Sequence, residues 1–211
     1  KGGLGAEPGG FGAAQIGVCG ADVLMVGFSR FGQVASQILL SGGSDVTIID
    51  HSADRVRAAQ RFGFRIYFGD GTRLDLLRQA GASEAELILF CMDGDQIDAD
   101  WLESVHEAFP NAAVYVRAFD RRALIKLKNG PARYVVREVL ESAVKMARLA
   151  MQGLHISTEE IDRAEDMYRS RDRERLRLQI EAGDIRAARE RIITQTERDT
   201  TPINPGTGVV T

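Results

Sequence analysis

The sequence predicts an α/β fold, a doubly wound parallel sheet with a C-terminal helical extension. Three observations predict it. Short apolar runs alternate with amphipathic helical stretches from residue 22 to residue 137. Runs such as Leu87-Ile-Leu-Phe90 are apolar at every position, as in strands buried on both faces of a helix-covered parallel sheet. The stretch Asp22-Val-Leu-Met-Val-Gly27-Phe-Ser-Arg-Phe-Gly32-Gln33 reads as a strand, a tight turn and a helix start. That is the Rossmann-like arrangement in which free backbone N–H groups at the first helix meet a phosphate.

Taken in order, strands are expected at 22–27, 45–50, 64–68, 86–91, 112–117 and 133–136. Helices are expected at about 30–41, 53–62, 73–80, 96–109 and 120–129. Gly42-Gly43, Gly63 and Gly81 fall where helices should stop. Ser52 or Asp54 is placed to cap the second helix, and Thr72 the third.

After Val136 the pattern changes. Residues 138–152 predict one amphipathic helix with Val139, Leu140, Ala143, Met146, Ala147 and Ala150 on one face. The sheet beside it should already be covered by the preceding helices. A symmetric second copy is then the simplest cover for Val139, Ala143, Met146, Ala147 and Ala150; the other reading folds the helix back onto its own sheet. Residues 158–198 read as helical and dense in charge, 11 acids against 10 arginines. A thin apolar stripe runs through Ile161, Ala164 and Tyr168, then Leu176 and Ile180, then Ile185, Ala188 and Ile192. It suits either a solvated helix with i,i+4 ion pairs or a partner-binding helical hairpin.

The chain thus divides into four parts. Residues 1–20 hold eight glycines and begin with Lys, which suggests a flexible linker entered partway along a larger protein. Residues 21–137 form the nucleotide-binding domain, 138–198 the crossover helix and charged extension, and 199–211 a disordered tail.

Composition narrows the function. A net charge of −3 gives no global attraction to nucleic acid or anionic lipid. Cys19 and Cys91 suggest no disulfide framework, and His51, His106 and His155 lack metal-ligand spacing. No nucleophile and base stand at motif spacing, and the residues after Ala150 look too polar to build a substrate domain. The chain therefore reads as a sensor and not an enzyme, with a nicotinamide-dependent, NAD(P)-linked oxidoreductase as the alternative.

Ligands of such sheets sit beyond the carboxyl ends of the strands. The first strand leads to Gly27, Phe28, Ser29, Arg30, Phe31 and Gly32. Asp50, 18 positions after Gly32, closes Val46-Thr-Ile-Ile49 and is placed to accept hydrogen bonds from ribose hydroxyls; His51 follows it. Asp70, Gly71 and Thr72 follow the third strand, Cys91, Met92 and Asp93 the fourth, and Arg117 the fifth. Ser29 stands where a middle glycine usually lets a pyrophosphate approach, so AMP and NAD(H) both stay open. Asp70 suits a base, a sugar or a helix cap, and Arg30 a phosphate or solvent. Cys91 reads as a small buried apolar residue. Arg117 ends a buried strand and needs an anionic partner.

Gly27-Phe-Ser-Arg-Phe-Gly32-Gln33 also resembles the glycine turn of the cytosolic RCK or KTN (TrkA-N-like) domain of Kef-type potassium efflux antiporters. Further segments match in order: Ile49-Asp-His51, Phe68-Gly-Asp-Gly-Thr-Arg73 with Leu76-Leu77, and the Asp93-to-Phe109-Pro110 helix. Val116-Arg-Ala118, Val135-Val-Arg-Glu-Val-Leu-Glu-Ser-Ala143 and Tyr168-Arg-Ser-Arg-Asp-Arg-Glu-Arg-Leu176 continue the series, so the resemblance covers roughly residues 22 to 180. It implies a regulatory domain under a membrane potassium:proton antiporter, at the cytoplasmic face of a bacterial inner membrane, paired as a homodimer. It also implies an adenine nucleotide held by Gly27, Phe28, Ser29, Arg30, Gly32, Asp50, Asp70, Gly71, Thr72, Cys91, Met92 and Asp93. A soluble RCK subunit of a potassium uptake system is a related alternative. Phe119 stands where such domains carry a second arginine after Arg117, which weakens the case for glutathione as a ligand.

Overall fold

The computed structural model describes residues 21–92 and 96–194. The expected linker at 1–20, Asp93, and the tail 199–211 lie outside the described residues. Six strands form one sheet: β1 (Val23–Val26), β2 (Val46–Asp50), β3 (Arg65–Phe68), β4 (Leu87–Phe90), β5 (Ala113–Ala118) and β6 (Tyr134–Arg137). Their order is β3-β2-β1-β4-β5-β6 and every pairing is parallel. The order reverses between β1 and β4, which opens a crevice at their carboxyl ends.

Five helices connect the strands: α1 (Arg30–Ser41), α2 (Ala53–Arg61), α3 (Leu74–Gln79), α4 (Ala99–Ala108) and α5 (Arg121–Leu127). Two helices follow the sheet, α6 (Glu138–Gly153) and α7 (Thr158–Ala182), and then a 3-10 turn at Arg189–Arg191. Side-chain caps start α2 at Ser52, α4 at Asp98, α5 at Asp120 and α7 at Ser157, each accepting a first-turn N–H that the helix cannot satisfy itself. Thr72 does not cap α3, contrary to expectation: Arg73 holds that position without a side-chain bond, because Asp70 takes the threonine hydroxyl.

The core lies in two layers. On one face of the sheet, α3, α4 and α5 bury Leu77, Leu102, Leu124 and Leu127 against Leu24, Ile88, Phe90 and Val116. On the other face, α1 and α2 close over Met25, Ile48 and Phe28. That second cover stops short. Leu87, Leu89 and Tyr115 are only half-buried although they stand on interior strands, and Tyr134 and Val136 on β6 are exposed. The expectation that preceding helices already cover the sheet beside α6 therefore fails over β4–β6. Helix α6 does not fill the gap, since among the elements it packs chiefly against α7.

Nor is α7 a simple solvated rod. It buries Ile161, Asp172 and Gln179 and docks on α5 and α6. Arg121 of α5 and Arg137 of β6 both clasp Asp172, and Arg121 also donates to Gln179 at 3.0 Å. Burial, partly offset by Asp172, pushes the Arg121 guanidinium below its ordinary value. Arg148 and Arg169 tie α6 to α7 through Asp162, Glu165 and Glu141. Helix α7 stops at Gly183, whose left-handed φ of 62° suits glycine, so the helix does not continue to 198.

Candidate nucleotide site

The turn after β1 is built by close contact. Gly27 has φ +100°, and a Cβ there would lie 2.7 Å from the Met92 nitrogen. A Cβ on Gly32 would lie 2.2 Å from the Gly27 carbonyl oxygen. A larger residue at Gly27 would push the turn off the backbone that follows β4, and one at Gly32 would push α1 away from the end of β1. Ser29 is the N-cap of α1 but makes no capping hydrogen bond, and the first turn holds no acidic residue. Its hydroxyl instead donates to the Cys91 carbonyl at 3.4 Å and accepts from Arg117 Nη1 at 3.3 Å.

Asp50 ends β2 and is 3% exposed. Its Oδ2 accepts the Phe28 N–H at 2.6 Å, which ties the glycine turn to β2, and its Oδ1 accepts the Ser52 N–H at 2.7 Å. Arg55 Nε lies 3.0 Å from both oxygens. Asp70 accepts the Thr72 N–H at 2.9 Å and hydroxyl at 2.8 Å. These bonds, against a small desolvation cost and helped by His51, hold its carboxyl below the usual range.

A narrow cleft of about 20 Å³ gathers Gly27, Ser29, Asp50, His51, Asp70, Gly71 and Met92 with Val26, Ile49, Arg55, Gly69 and Gln96. An adjoining hollow of about 730 Å³ is lined by Ser29, Arg30, Phe31, Gln33, Arg55, Arg117, Phe119, Asp120, Arg122 and Glu138. Ten of the fifteen expected ligand positions line one of these two hollows; Phe28, Gly32, Thr72 and Cys91 line neither, and Asp93 lies outside the described residues. The Phe28 ring packs in the core against Phe64, and only its backbone N–H serves the site. Cys91 contributes its carbonyl; burial pushes its thiol up to about 12, so it is no nucleophile at neutral pH. Thr72 lies outside both hollows and supports Asp70.

Arg117 finds the anion that its burial demands. Its side chain is 4% exposed and pairs with Glu138, at 2.8 Å from Nε, while Nη1 donates to the Cys91 carbonyl at 3.1 Å. Its guanidinium also lies over the Phe31 ring at 5.3 Å. Reading the sequence missed Arg55 and Gln96. Arg55 lies within the first turn of α2, five residues after Asp50, and nothing in that spacing alone marks it.

Comparisons with known proteins bear on the family and the fold. The model of the TrkA-N domain matches residues 23–138, more than half of the chain. A "Glutathione-regulated potassium-efflux system protein" of Haemophilus influenzae is 35% identical over 162 residues, 77% of this chain and 26% of that protein. The KefC protein of an Enterobacter species is 34% identical over the same share. The chain thus spans about a quarter of the length of these relatives. Among solved structures, the Kef C-terminal domain of Shewanella denitrificans in AMP-bound form has a TM-score of 0.65 at 29% identity, covering 76% of this chain and 98% of that one. The TrkA-N domain of the Escherichia coli inner membrane protein ybaL shares the fold, with a TM-score of 0.57 at 20% identity over 63% of this chain and 98% of that one. With the matched region running from β1 to the first residue of α6, the chain belongs to the TrkA-N domain family.

Proposed function

We propose that this chain is the nucleotide-sensing regulatory domain of a Kef-type potassium:proton antiporter, at the cytoplasmic face of a bacterial inner membrane. The observation that carries the reading is the crevice of Gly27, Ser29, Asp50 and Asp70 in a chain 29% identical to a Kef domain with AMP bound. Asp50 would hold the ribose through its carboxylate, and the start of α1 would hold the phosphate. Ser29, tied to Cys91 and Arg117, narrows the turn where a pyrophosphate would pass, which favours AMP over NAD(H). The described residues of the cleft suit a nucleotide, which supports the reading as a sensor and not an enzyme. No described helix is long and apolar enough to cross a membrane. The domain's partner in this reading is the antiporter's transmembrane part, as its potassium-efflux relatives suggest.

The same reading includes a homodimer. Val139, Ala143, Met146, Ala147 and Ala150 are all exposed on α6, and the uncovered face of β4–β6 lies next to it in sequence. A parallel sheet open on one face and an apolar helix face beside it can satisfy each other across a two-fold axis. A nucleotide that binds one arrangement of the dimer better would shift the population, and transport would follow.

Isothermal calorimetry tests the site. AMP should bind the parent chain at least as tightly as NAD. Asp50→Asn removes the charge and leaves one acceptor oxygen where the Phe28 and Ser52 N–H groups now use two. In variant protein that still melts cooperatively, AMP affinity should fall roughly tenfold or more, the worth of a charge-assisted hydrogen bond. Equal affinity in the two proteins, or a strong preference for NAD, would contradict the assignment.

A further inference from the structure

Arg55 borders both the cleft and the wider hollow, as does Ser29 at the start of α1. Its guanidinium occupies Asp50 by way of Nε, at 3.0 Å from each oxygen. The Phe28 and Ser52 N–H groups take one further position on each oxygen. An ionised carboxylate offers about four acceptor positions. The two backbone bonds cannot be given up, because they fix the glycine turn and the start of α2. The positions left for a ribose are those that Arg55 fills.

From this count we propose that Arg55 is a built-in competitor for the ribose subsite, which must leave Asp50 when a nucleotide enters and then meets the ligand's phosphate. This rests on the nucleotide reading above and deepens it by naming what selects the ligand. Three features support the movement. The Arg55 side chain is 31% exposed against 1% for Asp50, so the arginine is the mobile member of the pair. Its unbranched stem allows the guanidinium to swing without a backbone change. The adjoining hollow of about 730 Å³ gives it room on the side where α1 presents its N-terminus. A nucleoside without phosphate must break the ion pair and gains nothing from the displaced cation. A nucleotide recovers the loss as a new charge-assisted contact. The site therefore prefers AMP to adenosine by more than the helix terminus alone provides.

The test titrates adenosine and AMP into the parent chain, Arg55→Ala and Arg55→Lys. Arg55→Ala should bind adenosine at least threefold more tightly than the parent, and the ratio of AMP to adenosine affinity should fall about tenfold. Arg55→Lys, which keeps the charge on a flexible stem, should restore most of that ratio. AMP binding with an unchanged ratio in Arg55→Ala, or weaker adenosine binding in that variant, would overturn the competitor role alone. Failure of the parent chain to bind AMP would overturn the nucleotide reading and this inference with it.

Discussion

The half of the sheet made of β1, β2 and β3 differs from the half made of β4, β5 and β6. The first half is closed on one face by α1 and α2, through Phe31, Ala35, Leu39 and Ala59, so Val46 and Ile48 are almost fully buried. The second half is backed by α4 and α5 on one face only. On its other face, exposure grows from the half-buried Leu89 and Tyr115 to Tyr134 at 54% on the edge strand. The elements that follow it are held differently too. Helix α6 has no buried residue, and α7 is docked by Arg121 and Arg137 on Asp172. The comparison teaches that apolar burial closes β1 and β2 within one chain, with only the edge strand β3 left half-buried to exposed, while the other half combines ion pairing with an uncovered face on its interior strands.

The largest effect should come from breaking the clamp on α7. Asp172→Asn leaves Arg121 and Arg137 buried without their counter-charge, and loss of one partner of a buried pair costs about 3 kcal/mol or more. Thermal unfolding should show the loss, and amide exchange along α7 should rise before exchange in β1 and β2. Equal loss of protection in both regions would mean that α7 and the nucleotide half unfold as one unit.

Acid should separate the regions more gently. Hydrogen bonds from Arg169 and Arg148 hold the Glu165 carboxyl below its ordinary value, and those from Arg169 do the same for Glu141. A carboxyl depressed in the folded state stabilises above its unfolded value of about 4.3 and ceases to do so as pH falls through the lower folded value. The contact between α6 and α7 should therefore loosen below about pH 4, with added salt acting in the same direction. Glu141 is exposed and Glu165 only half-buried, so the expected change is a local rise in exchange within α6 and α7. Unaltered protection there down to pH 3 would count against ion pairing as the glue.

Much of the first half was legible in the sequence. The fully apolar run Val23–Val26 matches a strand that is buried on both faces, and the spacing from Gly32 to Asp50 follows from one strand–helix–strand unit. The second half was harder to read for physical reasons. Asp172, Arg121 and Arg137 look like ordinary surface charges until β6, α5 and α7 meet, because ion pairing carries no periodicity. Arg55 sits on a polar helix and looks solvated; only the fold puts it on Asp50. Thr72 carries a capping residue's chemistry, yet Asp70 two positions earlier captures its hydroxyl. The missing cover over β4–β6 could not be read from strand patterns, since Leu87-Ile-Leu-Phe90 is apolar on both faces whether or not a helix of the same chain lies on each.

The smallest expected change in stability tests the central claim most directly. Ala143→Glu together with Ala147→Glu places two charges on the exposed face of α6, where a substitution away from the core should alter monomer stability by no more than about 0.5 kcal/mol. Light scattering of the parent chain with AMP present should give a dimer at micromolar concentration. The double variant should give a folded monomer with its cooperative melt intact. A parent chain that stays monomeric at high concentration, or a double variant that remains dimeric, would contradict the account.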